Sequence, residues 1–447
     1  MLFECKILAM MLPFCRSLPL LVSSFVGLEH ASVGIYAIDC TTKKVVIEEN
    51  CDLSLIPASC MKIITTGAAL HILGAQYRFE TKLEVDETLG SKGVLHGNLF
   101  IRGGGDPCLG SNRIPGSLSW EEQIRIWADA VEQLGVRRIE GRVIGDSGRW
   151  ELAMAAPSWS WEDLGNYYGA GASALSFHEN CISLVFQPGD VGKEAKLLRA
   201  EPPVPLLVFQ NEVKTGPEGS GDGACIYGSE FSFLQCIRGT IPAGVSEFTI
   251  KGAIPDPAAF CAGLLAKELQ ERGIEIVNGD LQGKKRTVFH STLSPSLGEI
   301  VFWTNQKSIN LYAEHLLKKM GEVVCQEGST QAGIRAVTEF WRSQGIDLNG
   351  FQMADGSGLS RKNLITPKQM VEILVKIKES EHFSLFFDSL PQVNDSIRAK
   401  SGSMSLIKGY GGYAGKIAFM AIVNQCLDRN GMNKGLERVL LELNKLD

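Results

Sequence analysis

The chain has 447 residues, 45% of them apolar and 21% charged, with a net charge of −6. This balance describes globular material long enough for two or three domains. Charges of both signs are interspersed and no long basic block occurs. That argues against a phosphate-backbone or membrane-surface partner, and no nucleic acid is expected.

At the start, Lys6 and Arg16 each precede a short apolar stretch, and Ser17 to Leu28 carries no charge. Residues 1–28 resemble a secretory signal with a weakly marked cleavage site, which predicts an exported protein; the bland alternative is a buried first helix or a misplaced start codon. No uncharged apolar run reaches the ~18 residues of a membrane span, so no transmembrane helix is expected. The twelve cysteines include no C-x-x-C pair and no Cys/His cluster at zinc spacing. A structural metal site is therefore not expected, and without an H-E-x-x-H or Walker motif no other cofactor is expected; the cysteine spacing leaves disulfides open.

From Ser32 the pattern SVGIYAIDCTTKKVVIEE reads as a hairpin, and a helix begins near Ser59. After Lys82 short strand-like runs follow, broken by glycine and proline, such as KGVLHGNLFIRGGGDP and NCISLVFQPGD. One helix interrupts them at WEEQIRIWADAVEQL, with Ile124, Trp127 and Val131 on its apolar face. From Pro257 helices return in DPAAFCAGLLAKELQERG, KSINLYAEHLLKKMG, TQAGIRAVTEFWRSQG and TPKQMVEILVKIKES. The last stretch, SIRAKSGSMSLIKGYGGYAGKIAFMAIVNQ, is glycine-rich and alternating, as adjacent antiparallel strands would be. The expected class is α+β, one domain built from both ends of the chain and interrupted by a β-rich middle.

Chemistry enters at LIPASCMKIITTGAAL, where Ser59 stands three residues before Lys62. Residues three apart share a helix face, and Met61, Ile64, Ala68 and Ile72 form an apolar stripe, so the two side chains can cooperate. Ser405 and Lys408 have the same spacing in a strand-like region, where they cannot. A serine hydroxyl becomes a nucleophile when a base within hydrogen-bond reach takes its proton, and a buried lysine can be that base. The bland reading of Ser59 is a helix N-cap. Cys60, beside it, reads as a small buried helix residue, although a helix N-terminus would favour its thiolate and its oxidation. Further along, SIN (308–310) opens a helix and AKSGS (399–403) lies on an expected strand. S-x-x-K, S-x-N and K-[ST]-G in this order are signatures of penicillin-binding proteins and serine β-lactamases.

With FIRGGGDPCL (100–109) and DGSGLSRKNLITP (355–367) added, the chain from about residue 30 onward resembles the D-alanyl-D-alanine carboxypeptidase/endopeptidase family. These are the class C low-molecular-mass penicillin-binding proteins, DacB-like, of peptidase family S13. The resemblance implies a transpeptidase-like catalytic domain split by a β-rich insertion: 29–78 and 286–447 around 79–285, with an inner subdomain at about 105–180. It implies that Ser59 is acylated by peptidoglycan stem peptides ending in D-Ala-D-Ala, with Lys62 as base and β-lactam antibiotics as covalent inhibitors. Ser308 would relay a proton to the leaving amine and Asn310 would bind the substrate amide and Lys62. Lys400 would keep the site electropositive, Ser401 and Ser403 on either side of Gly402 would bind the carboxylate, and the N–H groups of Ser59 and Ser403 would form the oxyanion hole. Asp146, Trp150 and Arg361 match positions that hold a diaminopimelate side chain in relatives. The implied location is the bacterial periplasm or cell envelope. Ile309 and Ser401 depart from the family's usual aspartate and threonine. Asp106 and Asp355, beside proline and glycine, read as turn builders. The competing functions are a β-lactamase, disfavoured by the lack of an E-x-x-L-N stretch, and a non-catalytic peptidoglycan-binding or β-lactam-sensing envelope protein. The second would have no need of a nucleophile with its base.

Overall fold

Strands from the two ends of the chain meet in one five-stranded antiparallel sheet, seen in a computed structural model that describes residues 30–87, 89–281 and 285–445. The strands are β1 (Ser32–Asp39), β2 (Val45–Glu49), β3 (Ile397–Met404), β4 (Ile407–Ala414) and β5 (Ile417–Asn424), in the order β3-β4-β5-β1-β2. β1 runs against β5 in register from Ser32 opposite Asn424 to Asp39 opposite Ile417. The expected signal segment 1–28 lies outside the described residues.

Both faces of this sheet are covered. Ile35, Ala37, Ile397, Ala399, Ile417 and Phe419 join Met432, Leu436, Val439 and Leu443 of the helix Arg429–Lys445 in one apolar cluster. Helix α1 (Met61–Leu73) and the helix α2 (Pro367–Lys378) belong to the opposite side, with α2 packed on β1 and β5. Double coverage explains why every residue of β5, IAFMAIVN, is buried, so that this strand reads as a continuous apolar run rather than an alternating one. It also changes the reading of α1: Met61 to Leu70 are all buried, so the helix is enclosed all round instead of presenting one stripe.

The described residues divide into two compact units, one comprising 30–75, 301–309 and 334–445, the other lying within 76–300 and 310–333. The first holds the five-stranded sheet. In the second, Thr287–Leu293, Glu80–Val85, Leu99–Arg102 and Val143–Asp146 form a four-stranded sheet in that order, beside three sheets of three strands. The expected helix is found at Trp120–Gln133, started by a capping box between Ser119 and Glu122. Its Ile124, Trp127 and Val131 are buried with Phe177, Phe260 and Leu265.

These limits differ from those expected in two places, for visible reasons. Thr287–Leu293 pairs with Glu80–Val85 and therefore stays with the inserted unit. The helix Asn310–Cys325 is bonded into the same unit through its buried polar face: Tyr312 donates to Glu179 at 2.7 Å, His315 contacts the Gly105 carbonyl at 2.8 Å, and Lys318 donates to the Ala153 carbonyl at 2.6 Å. Leu109, Leu175 and Phe177, within the stretch expected as an inner subdomain, share one apolar cluster with Leu83, Ile101 and Ile250.

Candidate active site

Ser59 lies in a single 3-10 turn, Ala58–Cys60, that runs straight into α1, and neither helix start carries a side-chain cap bond. Ser59 therefore does not serve as a cap. Instead the turn is bent: Ala58 has φ +47°, a left-handed conformation that costs an alanine roughly 1–2 kcal/mol. Such strain persists where surrounding packing enforces it. Two glycines supply that packing. A side chain at Gly358 would run into the Ala58 carbonyl, and one at Gly402 would meet the Pro57 carbonyl and come within 3.1 Å of the Cys60 nitrogen. The loop of DGSGLSR and strand β3 thus close on the turn at backbone distance.

Lys62 is 0% exposed, and its Nζ donates to Ser59 Oγ at 3.1 Å and to the Ser357 carbonyl at 2.7 Å. The neighbouring Thr65 hydroxyl donates to the Gly356 carbonyl at 2.7 Å, so the same loop is fastened to α1 twice. Asp355 builds that loop: fully buried, it accepts from the amides of Gly358 and Ser360 and from Asn363 Nδ2. That is the turn-building role its neighbours suggested. Arg361 is exposed on the same loop.

Lys400, on β3, is 1% exposed and donates to the Ser401 carbonyl at 2.9 Å. Burial pulls its ammonium down to about 8. Ser401 is half-buried and Ser403 exposed on this edge strand. Cys60 is fully buried, its thiol donates to the Lys400 carbonyl at 3.3 Å, and burial pushes it up to about 11. Burial disfavours the thiolate, which supports the reading of Cys60 as a small buried helix residue.

Ser308 follows the helix Leu297–Lys307 with φ +56°, and the Ile309 N–H donates to the Thr304 carbonyl at 3.2 Å. That is a Schellman turn with a serine in the left-handed position usually given to glycine. An apolar residue commonly follows that position, which suits Ile309. The preceding helix is tied to α1 by buried Asn305, whose Nδ2 reaches Thr66 Oγ1 at 3.2 Å and Ser389 Oγ at 2.9 Å. Ser59, Lys62, Ser308, Lys400, Ser401, Gly402, Ser403 and Arg361 are thus carried by one compact unit.

Asn310, Asp146 and Trp150 are carried by the other. Asn310 opens its helix as expected, and its Nδ2 donates to the Tyr168 carbonyl at 2.8 Å. Asp146 is ion-paired with Arg286 and accepts from the Gly148 amide at 2.9 Å. Burial opposes its ionisation, but these contacts outweigh it and hold the carboxyl below its usual range. Trp150 is 5% exposed, donates to Glu322 at 2.8 Å and meets the His315 ring edge-on. Sequence reasoning missed Ser357, Gly356, Thr65, Thr66 and Asn305. The first two act through carbonyls, which leave no mark in residue type.

Three comparisons bear on this site. Residues 22–438 match the model of the D-Ala-D-Ala carboxypeptidase 3 (S13) family. A D-alanyl-D-alanine carboxypeptidase of Actinomadura sp. is 27% identical over 89% of this chain and 78% of its own length, and D-alanyl-D-alanine carboxypeptidase DacB of Haemophilus influenzae is 25% identical over 84% and 78%. Among solved structures, penicillin-binding protein 4 (DacB) of H. influenzae superimposes with a TM-score of 0.80 at 22% identity, over 96% of this chain and 99% of that one. The same protein complexed with a β-lactam gives 0.77 at 20% identity, over 96% and 99%.

Proposed function

The chain belongs to the D-Ala-D-Ala carboxypeptidase 3 (S13) family, and on that premise we propose the following course for a serine-type D-Ala-D-Ala carboxypeptidase. Ser59 Oγ attacks the carbonyl of the penultimate D-alanine of a peptidoglycan stem peptide, the terminal D-alanine leaves, and water then hydrolyses the ester. The observation that carries this is the buried Lys62 Nζ, 3.1 Å from Ser59 Oγ. An amine enclosed in protein is the kind of base whose charged form is disfavoured, and it stands within reach of the proton it would take. Ser308 relays that proton to the leaving amine and Asn310 receives the substrate amide. Ser401 and Ser403 along β3 receive the terminal carboxylate, and Lys400 keeps the site electropositive. The N–H groups of Ser59 and Ser403 hold the developing oxyanion.

Arg361 is exposed on its loop and open to a substrate side chain. Asp146 and Trp150 are already engaged by Arg286 and Glu322, so a substrate role for either would add to those contacts or replace them. Peptidoglycan lies outside the cytoplasmic membrane. Together with the signal-like residues 1–28, this favours an exported protein of the cell envelope. No helix among the described residues is long and apolar enough to cross a membrane.

The decisive experiment is labelling of the purified chain by a fluorescent penicillin together with D-alanine release from a pentapeptide. Ser59→Ala is expected to abolish both. Undiminished labelling in that variant would remove Ser59 as nucleophile. Cleavage of a cross-linked peptide dimer measures the endopeptidase share of the activity.

A further inference from the structure

The unit spanning 76–300 contains a second feature that the reaction does not use. A cavity of about 330 Å³ opens between the GGGDPCLG loop, the Pro115–Leu118 turn and the end of the strand Thr287–Leu293. At its deep end lies Asp106, 4% exposed. Its Oδ1 accepts from the Cys108 amide at 2.9 Å and from the Cys108 thiol at 3.0 Å. Among the described residues nothing donates to Oδ2. Burial pushes this carboxyl up to about 6. Beside it, the Ser117 hydroxyl oxygen is buried with no hydrogen-bond partner, and buried Gln123 reaches only Thr292 Oγ1, at 3.4 Å. At the mouth, exposed Arg78 spends one N–H on the Ser294 carbonyl at 2.7 Å, which leaves the rest of its five-donor fork. Glu299, also at the mouth, is occupied by the amide and hydroxyl of Ser296.

Buried polar atoms in folded proteins are nearly always satisfied, so the buried Ser117 Oγ without a partner, on the same cavity as the Asp106 carboxylate, marks a place for a donor. The lining carries a buried acid, Asp106, and an exposed cation, Arg78, whose charge joins the Ser296 hydrogen bonds in favouring the ionised form of Glu299. A lone anion would be repelled by Asp106, while a lone cation would leave Arg78 unused. We propose that this cavity binds a small zwitterion of the amino acid or dipeptide class, its ammonium donating to Asp106 Oδ2 and Ser117 Oγ and its carboxylate received by Arg78. The volume is at the lower end of ligand pockets, which suits molecules of that size. The amino acid released by the proposed reaction is one member of the class, but the site is independent of that reaction.

The test is calorimetric titration of the full chain carrying Ser59→Ala with glycylglycine, D-alanine and L-alanine, and with ethylamine and propionate as half-ligands. Pretreatment of the unsubstituted chain with penicillin provides a second form in which the catalytic serine is covered. At least one zwitterion should saturate in both forms, and each half-ligand should bind at least about tenfold more weakly. Asp106→Asn, which keeps the acceptor for Cys108, and Arg78→Gln should each weaken the zwitterion about tenfold or more. Should Asp106→Asn fail to fold, Arg78→Gln decides, because Arg78 is exposed. Absence of saturable binding, or binding unchanged by Arg78→Gln, overturns the proposal. If penicillin fails to label Ser59, the proposed reaction falls while the titration still judges the cavity.

Discussion

Replacing Gly402 by alanine adds one methyl group and removes no functional atom, yet it should disable the enzyme. The new Cβ would overlap the Pro57 carbonyl oxygen and lie 3.1 Å from the Cys60 nitrogen and 3.2 Å from the Ala58 Cβ. All three are parts of the turn that carries Ser59, and none is the free end of a flexible side chain. Comfortable contacts need about 3.5–4.0 Å, so β3 and the turn must part by roughly 1 Å. Overpacking of this kind costs about 1–3 kcal/mol. The kinetic effect should be larger, because a misplacement of about 1 Å at a reacting centre can cost on the order of 100-fold. The cross-strand partner Gly409 is the control, since a Cβ there would come no nearer than 3.2 Å to anything. The assay is the second-order rate of penicillin acylation, measured beside urea unfolding. Gly402→Ala should lose about 100-fold in rate while Gly409→Ala stays within about threefold. A folded Gly402→Ala protein that acylates at the unsubstituted rate would refute the idea that β3 holds the turn in its reactive shape.

Lys400, held at about 8 by burial, gives a pH dependence of known sign. Between about pH 8 and 10.4 the unfolded chain keeps a proton that the folded one has released, so stability rises with pH there, and the burial cost is fully present below it. Carboxylate capture runs the other way: KM for a D-Ala-D-Ala peptide should rise as pH passes about 8, and a flat KM across that window would contradict the assignment. Cys60, buried with its thiol pushed up to about 11, should resist alkylation in the native protein and react only after denaturation. Mass spectrometry of the modified peptide checks this. Lys318→Met should destabilise by about 1–3 kcal/mol in urea, because the carbonyls of Ala153 and Ala172 lose a buried donor. A change below about 0.5 kcal/mol would show that these bonds contribute nothing net.

Much of this was legible in residue order, but unevenly. The three-residue spacing of Ser59 and Lys62 sufficed to bring the pair together, because a helix start puts such residues on one side. The rejected pair also reads correctly, with Ser405 in the β3–β4 turn and Lys408 on β4. Periodicity located the helices at Trp120, Pro257, Asn310, Thr330 and Pro367, whereas Leu297–Lys307, Phe383–Ser389 and Arg429–Lys445 escaped. What stayed hidden depends on backbone atoms: the Ser357 carbonyl on Lys62, the left-handed Ser308 and the contact surface that Gly402 offers. The domain limits stayed hidden for a related reason. Whether the helix after SIN goes with one unit or the other is decided by Tyr312, His315 and Lys318, polar residues whose burial no pattern announces.

The pairing of β1 with β5 joins residues 32–39 to residues 417–424. Long-range pairings form slowly, because the ends of a long loop must meet before any contact rewards them. Ser59 leaves the ribosome early, but the strand that presses on its turn is made some 340 residues later. The unit formed mostly by 76–300 has its sheets within its own stretch and can mature in the meantime. A nascent chain would therefore leave the turn around Ser59 unsupported through most of its synthesis, and complete it only when its last strands arrive.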